Sequence, residues 1–189
     1  RRIELVKNEV ILSYPLNTLP DRLKFAMADV FEGPLPPEEK LIRLYESSVM
    51  KPAVCTLNPS SPFPINTCTK IVRLRLTDQA LEERIDHLEG ELLSFQGRPF
   101  DETVDDRIQF YRDLYADERD IDPFRLGAIE MYGETTYSNI RVDSRTTLSF
   151  QWRHSKSGTA CGYQVNCISE ISPPNDLFFR FMRVLRGLF

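Results

Sequence analysis

The chain has 189 residues, of which 41% are hydrophobic and 28% charged, and its formal net charge at pH 7 is -4. That length supports one ordinary core, and the acidic balance argues against a disordered chain or a general nucleic-acid binder. No apolar run approaches the roughly 18 residues of a membrane span, and the opening Arg1-Arg2-Ile3, with no methionine, reads as a processed product or a trimmed chain.

Residues 1–16 read as an extended arm or a small hairpin, with Leu5, Val6, Val10, Ile11 and Leu12 around the polar break Lys7-Asn8-Glu9. Thr18 can cap a helix with Pro20 in its first turn and Leu23, Met27, Val30 and Phe31 at helical spacing up to Gly33. A second helix is expected from Glu38-Glu39 with Leu41, Leu44, Tyr45 and Val49 on one face. Cys55 to Cys68 is too rich in proline for a central strand and reads as a loop. Thr69 to Leu76 alternates with period two, as a half-buried strand does.

From Asp78 to Gln96 the apolar residues Leu81, Ile85, Leu88, Leu92 and Phe95 follow a 4-3-4-3 spacing that predicts a long amphipathic helix. Asp101 can cap the next one, which carries Val104, Ile108, Tyr111 and Tyr115. The period then changes. Segments 125–133, 134–141, 145–153 and 162–171 are rich in β-branched and aromatic residues and predict an antiparallel meander. In the third, Leu148, Phe150 and Trp152 alternate with Thr147, Ser149 and Gln151. Asp176 opens a terminal helix.

The whole is read as a single α+β domain over 1–189. An arm occupies 1–16, a mainly helical part with one strand 17–122, an antiparallel sheet 125–171 and an amphipathic helix 175–189. Helices followed by a meander resemble, over Asp78 to Ile171, the cone-shaped arrangement of the NTF2-like group. That resemblance implies a curved sheet wrapped around helices with room for a pocket.

No motif specifies a reaction, and no catalytic residue, metal or cofactor is assigned. Cys55, Cys68, Cys161 and Cys167 lack zinc-knuckle or redox-motif spacing and read first as free thiols, then as a disulfide, last as metal ligands. His87 sits on the charged side of its helix, and His154 ends a strand at the sheet rim. Asp117, Glu118, Asp120 and Asp122 lack the glycine and distal glutamate of a calcium loop, and Asp101, Glu102, Asp105 and Asp106 lie where a helix dipole favours negative charge.

The terminal helix sets Phe178, Phe181, Met182, Leu185, Leu188 and Phe189 on one side and Arg180, Arg183 and Arg186 on another. It reads as a core-closing helix, as a docking surface, or least of all as a peripheral membrane contact. The leading functional expectation is a non-catalytic interaction or assembly subunit, docking a protein partner or larger complex through Phe178, Arg180, Phe181, Arg183, Leu185, Arg186 and Phe189 and through its extended ends.

The alternative is a small-molecule ligand site or an enzyme pocket between sheet and helices. Tyr132, Tyr137, Trp152, Arg153 and His154 would line it, and Glu130 or Glu134 would serve as a carboxylate for acid–base chemistry. Single-stranded nucleic-acid binding through Tyr137, Arg141, Phe150 and Arg153 is a third reading that the overall charge disfavours. The expected setting is intracellular, with an organellar product after processing as the alternative.

Overall fold

The computed structural model describes the chain except residues 32–35, 37–38, 40–41, 43–46, 48, 131–132 and 154–156. The second helix expected from Glu38 falls largely outside the described residues, as do Tyr132 and His154.

Strands β1 (Arg2–Lys7) and β2 (Val10–Pro15) form a hairpin in register from Arg2 opposite Pro15 to Lys7 opposite Val10. Its two-residue turn places both Asn8 (φ 49°) and Glu9 (φ 63°) in the left-handed region. That backbone twist matches paired strands. Helix α1 (Asp21–Ala28) follows Pro20, which supplies no side-chain cap, and buries Leu23 and Met27.

Strands β3 (Ala53–Leu57) and β4 (Ile65–Thr69) take up both ends of the stretch expected to be a loop, half of its residues. Pro59, Pro62 and Pro64 lie in the connection and punctuate the hairpin without entering its ladder. Strand β5 (Ile71–Leu76) continues β4 past Lys70, and the Lys70 and Val72 amides donate to Pro52 O and Met50 O at 3.3 and 3.0 Å. One extended run, 65–76, thereby serves two ladders. Thr77 caps α2 (Asp78–Ser94) by accepting from the Ala80 amide, and α3 (Phe100–Leu114) follows.

After a 3-10 turn at Glu118–Asp120, β6 (Ile121–Ile129) returns to pair antiparallel with β5. The expected meander is corrected at two points. Segment 134–141 is helical, forming most of α4 (Thr135–Val142), and β6 pairs with β5 across the α2–α3 excursion. Asn139 Nδ2 donates to Thr56 Oγ1 at 3.0 Å, and Thr136 Oγ1 lies 3.1 Å from Cys68 Sγ. These contacts with β3 and β4 hold as a helix a segment whose β-branched composition favours a strand.

Strands β7 (Arg145–Arg153) and β8 (Ala160–Ile168) complete a four-stranded antiparallel sheet in the order β4-β3-β7-β8. Leu148 and Phe150 point to its buried side. Helix α5 (Leu177–Leu188), capped by Asp176, ends the fold, which is α+β. Its Phe181, Val184, Leu185 and Leu188 join one hydrophobic cluster with Leu81 and Leu88 of α2, Tyr111 of α3 and Leu74 of β5. No helix among the described residues is long and apolar enough to cross a membrane.

Candidate functional site

An open cleft of about 1880 Å³ lies among the described residues. Its lining comes from the four-stranded sheet, from β6, from Tyr14 to Pro20 and from α5. Val54, Leu148 and Val165 contribute from the sheet, Leu126 and Ala128 from β6, and Phe178 and Met182 from α5. The β period sets the sheet contribution. Val54, Leu148 and Val165 are cross-strand neighbours, so all three project to one face.

Helix α5 approaches β6 closely. A Cβ at Gly127 would sit 2.5 Å from both Met182 Sδ and Phe178 Cζ, so glycine is what admits these two side chains to the cleft wall.

Five arginines, Arg75, Arg125, Arg145, Arg183 and Arg186, line the cleft against three carboxylates, Asp122, Glu130 and Glu170. The lining is therefore positive in a chain whose net charge is -4. Several of these charges are internally compensated. Arg125 donates to Asp78 at 2.8 Å and to Asp122, and Arg75 donates to Asp78 while its guanidinium lies 4.5 Å from the Phe178 ring centroid. Burial, reinforced by the nearby Arg125, lowers the Arg75 pKa. The Arg125 hydrogen bond holds the Asp78 carboxyl below its usual range.

Arg145 grips Asp143 through Nε at 3.0 Å and Nη2 at 2.7 Å, and Lys7 of the hairpin donates to the same carboxylate. The Asp143 side chain is fully buried, and the Arg145 hydrogen bonds, with those from Lys7, push its pKa well down against the opposing effect of burial. Arg1 lies 5.1 Å from the Phe124 ring centroid, and the Leu19 amide donates to Pro123 O at 2.7 Å. The N-terminal segment is thus fastened both to β6 and to the junction of α4 with β7.

The residues singled out on the terminal helix divide. Phe181 and Leu185 are in the core, and Phe189 is half-buried with its ring 5.2 Å from that of Phe31. Arg180 is spent within the chain, donating to Glu89 at 3.0 and 2.6 Å and to Asp86 at 2.6 Å. Phe178, Arg183 and Arg186 line the cleft, the last two exposed to solvent.

Of the expected pocket residues, Tyr137 lines the cleft, whereas Trp152 and Arg153 lie at the far end of β7 and are not in its lining. The Trp152 ring packs on Tyr163 with centroids 5.7 Å apart, and Arg153 donates to Gly158 O at 3.1 Å. Tyr137 and Arg141 share α4, with the guanidinium 5.9 Å from the ring centroid, while Phe150 is buried. These groups make no common stacking platform with Arg153.

The four cysteines are free and half-buried, and burial pushes the Cys167 thiol up to about 11. His87 is exposed 3.8 Å from Glu91. Asp117, Asp120 and Asp122 each pair with a different arginine, respectively Arg119, Arg84 and Arg125, so they do not converge. Among the described residues no cluster of His, Cys, Asp or Glu has the makings of a metal site.

Sequence reasoning missed the contributions of β3, β6 and the N-terminal segment. Segment 125–133 was read as a strand and 1–16 as an arm or hairpin, but nothing in local sequence places β3, β6 and the N-terminal segment beside α5.

No protein-family model, curated protein or solved structure matches this chain. The class that fold and site define is an α+β protein with an open, apolar, arginine-bearing cleft.

Proposed function

We propose that the protein binds an elongated, largely apolar ligand carrying one acidic group, held in the cleft with its acid near Arg183. The observation that carries this reading is the cleft itself: apolar walls from two sheets and a helix, with arginines in excess of carboxylates. Its volume exceeds the roughly 300–1,000 Å³ of compact ligand sites. That favours a long or large ligand over a small metabolite. Arginine suits a carboxylate or phosphate through its planar pair of donors.

Titration with a fluorescent long-chain carboxylate tests the reading. Saturable binding is expected, weakened about tenfold or more by Ala128→Trp, which fills the wall, and by Arg183→Glu. An uncharged alcohol of equal chain length is expected to bind more weakly than the acid. Absence of saturable binding, together with no ligand released on organic extraction of the purified protein, removes this reading.

The second reading remains a non-catalytic assembly subunit docking through its extended ends, favoured by the exposure of Val6, Val10 and Ile11 on the hairpin. A stoichiometric partner lost on Val6→Lys/Ile11→Lys substitution supports it. Deleting the terminal helix would be a poor test, since that helix supplies five buried residues.

A further inference from the structure

We propose that β8 is a homodimerisation edge, pairing antiparallel with β8 of a second copy about a two-fold axis at Gln164. In the sheet order β4-β3-β7-β8, β8 is an outer strand whose only ladder among the described residues is with β7. It is nine residues long, and residues 157–169 contain no charge and no proline, in a chain that is 28% charged. Free edges of this length are ordinarily protected by lysine, proline or a bulge, and an unprotected one is a template for another strand.

The sequence of β8 is self-complementary about its centre. An antiparallel two-fold at Gln164 sets Tyr163 opposite Val165 of the second copy, Cys161 opposite Cys167, and Gly162 opposite Asn166. Aromatic with β-branched is a favourable cross-strand pair, and no like charges meet anywhere along the ladder. The same register brings Glu170 of the second copy level with Gly158, whose carbonyl accepts from Arg153. Arg153 and Glu170 are both exposed, so each end of the ladder would bring together one cation and one anion. Two-fold symmetry repeats the pair, and the arrangement closes on itself as a dimer with an eight-stranded sheet. Gln164, Val165, Asn166 and Cys167 also line the cleft, so the second copy would extend its rim, although the inference stands on the edge alone and is read by sedimentation without ligand.

Gln164 is exposed and lies on the axis, where a substitution meets itself. Sedimentation of the wild-type chain is expected to give twice 22.0 kDa. Gln164→Lys and Gln164→Glu should each raise the dimer dissociation constant about a hundredfold, because like charges face each other across the interface. Both variants should keep the wild-type far-UV circular dichroism. An equimolar mixture of the two should restore the dimer as a heterodimer.

A wild-type chain that stays monomeric at high micromolar concentration overturns the proposal. So does a dimer unaffected by either charge, or two monomeric variants that fail to pair when mixed. The carboxylate titration of the cleft is read separately, so loss of either conclusion leaves the other intact.

Discussion

The guanidinium of Arg107, in the middle of α3, donates to the carbonyls of Gly187 and Leu188 at 3.0 and 2.8 Å and so caps the last turn of α5. Its Nε donates to Thr103 Oγ1 at 2.9 Å, and the group lies 4.9 Å and 5.2 Å from the ring centroids of Phe95 and Phe100. The residue is buried, and none of these partners is a carboxylate. The charge is met by the negative end of the helix dipole and by two aromatic faces. Arg107→Met keeps the aliphatic stem and removes the donors, leaving the buried Leu188 carbonyl and the partly buried Gly187 carbonyl without them. A loss of about 2–4 kcal/mol in urea unfolding is expected. Arg107→Lys should recover only part of it, because an ammonium cannot reproduce the planar fork.

Asp143 makes stability sensitive to acid. Its folded pKa is depressed, so its contribution is full above the unfolded value of about 3.9 and fades as pH falls through that value toward the folded one. Unfolding measured from pH 7 to pH 3 should therefore show a steeper acid loss in the wild type than in Asp143→Asn. At pH 7 the variant should be less stable by about 3 kcal/mol, since two cations lose their buried anion. Amide exchange in β1 and β2 should accelerate in the same variant, because Lys7 is the hairpin's ion-pair link to α4 and β7.

Two glycines face α5 contacts with different expected outcomes. Gly127→Ala drives a methyl into Phe178 and the buried Met182, and a cost of about 1–3 kcal/mol is expected, visible as a lower Tm. Gly187 is exposed, and its added methyl would lie 2.8 Å from Cδ2 of Leu92, which is half-buried and can turn away. There the roughly 1 kcal/mol gained in helix propensity offsets the crowding. Gly187→Ala should fall within about 0.5 kcal/mol of wild type, and adding Leu92→Ala should remove the crowding.

Tyr111 and Tyr115 donate to Met27 O at 3.0 Å and to Leu74 O at 3.1 Å from fully buried positions. Burial raises both phenols, Tyr111 to about 12. Their contribution is full below the unfolded value of about 10 and is lost as pH rises, because the unfolded chain ionises first. Ultraviolet titration should find these two of the seven tyrosines silent at pH 11 in the folded protein and ionised in urea. Tyr111→Phe and Tyr115→Phe should each cost about 1 kcal/mol.

Residues 78–94 and 145–153 were legible as helix and strand because their burial follows a single period over a long span: Leu81, Ile85 and Leu88 at helical spacing, Thr146, Leu148 and Phe150 at period two. The terminal helix was legible for the same reason, and its cap at Asp176 falls where the residue type indicated. Segment 135–142 was not, since threonine, isoleucine and valine favour strands locally while Thr136 and Asn139 find their partners on β4 and β3. The stretch 53–69 hid two strands because its prolines mark the turn between them, and composition averaged over the whole stretch cannot separate the two roles.

The candidate site was legible only in part. Phe178, Arg183, Arg186 and Tyr137 were singled out from sequence and do line the cleft. Their neighbours on β3 and β6 come from positions some 50 to 125 residues earlier than α5, and no local pattern joins them.

Sequence alone determined the class of fold, the long helices and the amphipathic end of the chain, because burial periodicity and capping act over a few residues. Tertiary structure decided that β6 pairs with β5 across two intervening helices. It also decided that one side of α5 closes the core while Phe178 and Arg183 line an open cleft. Those outcomes depend on which distant surfaces bury each other, a choice made by packing of the whole chain that no window of local sequence contains.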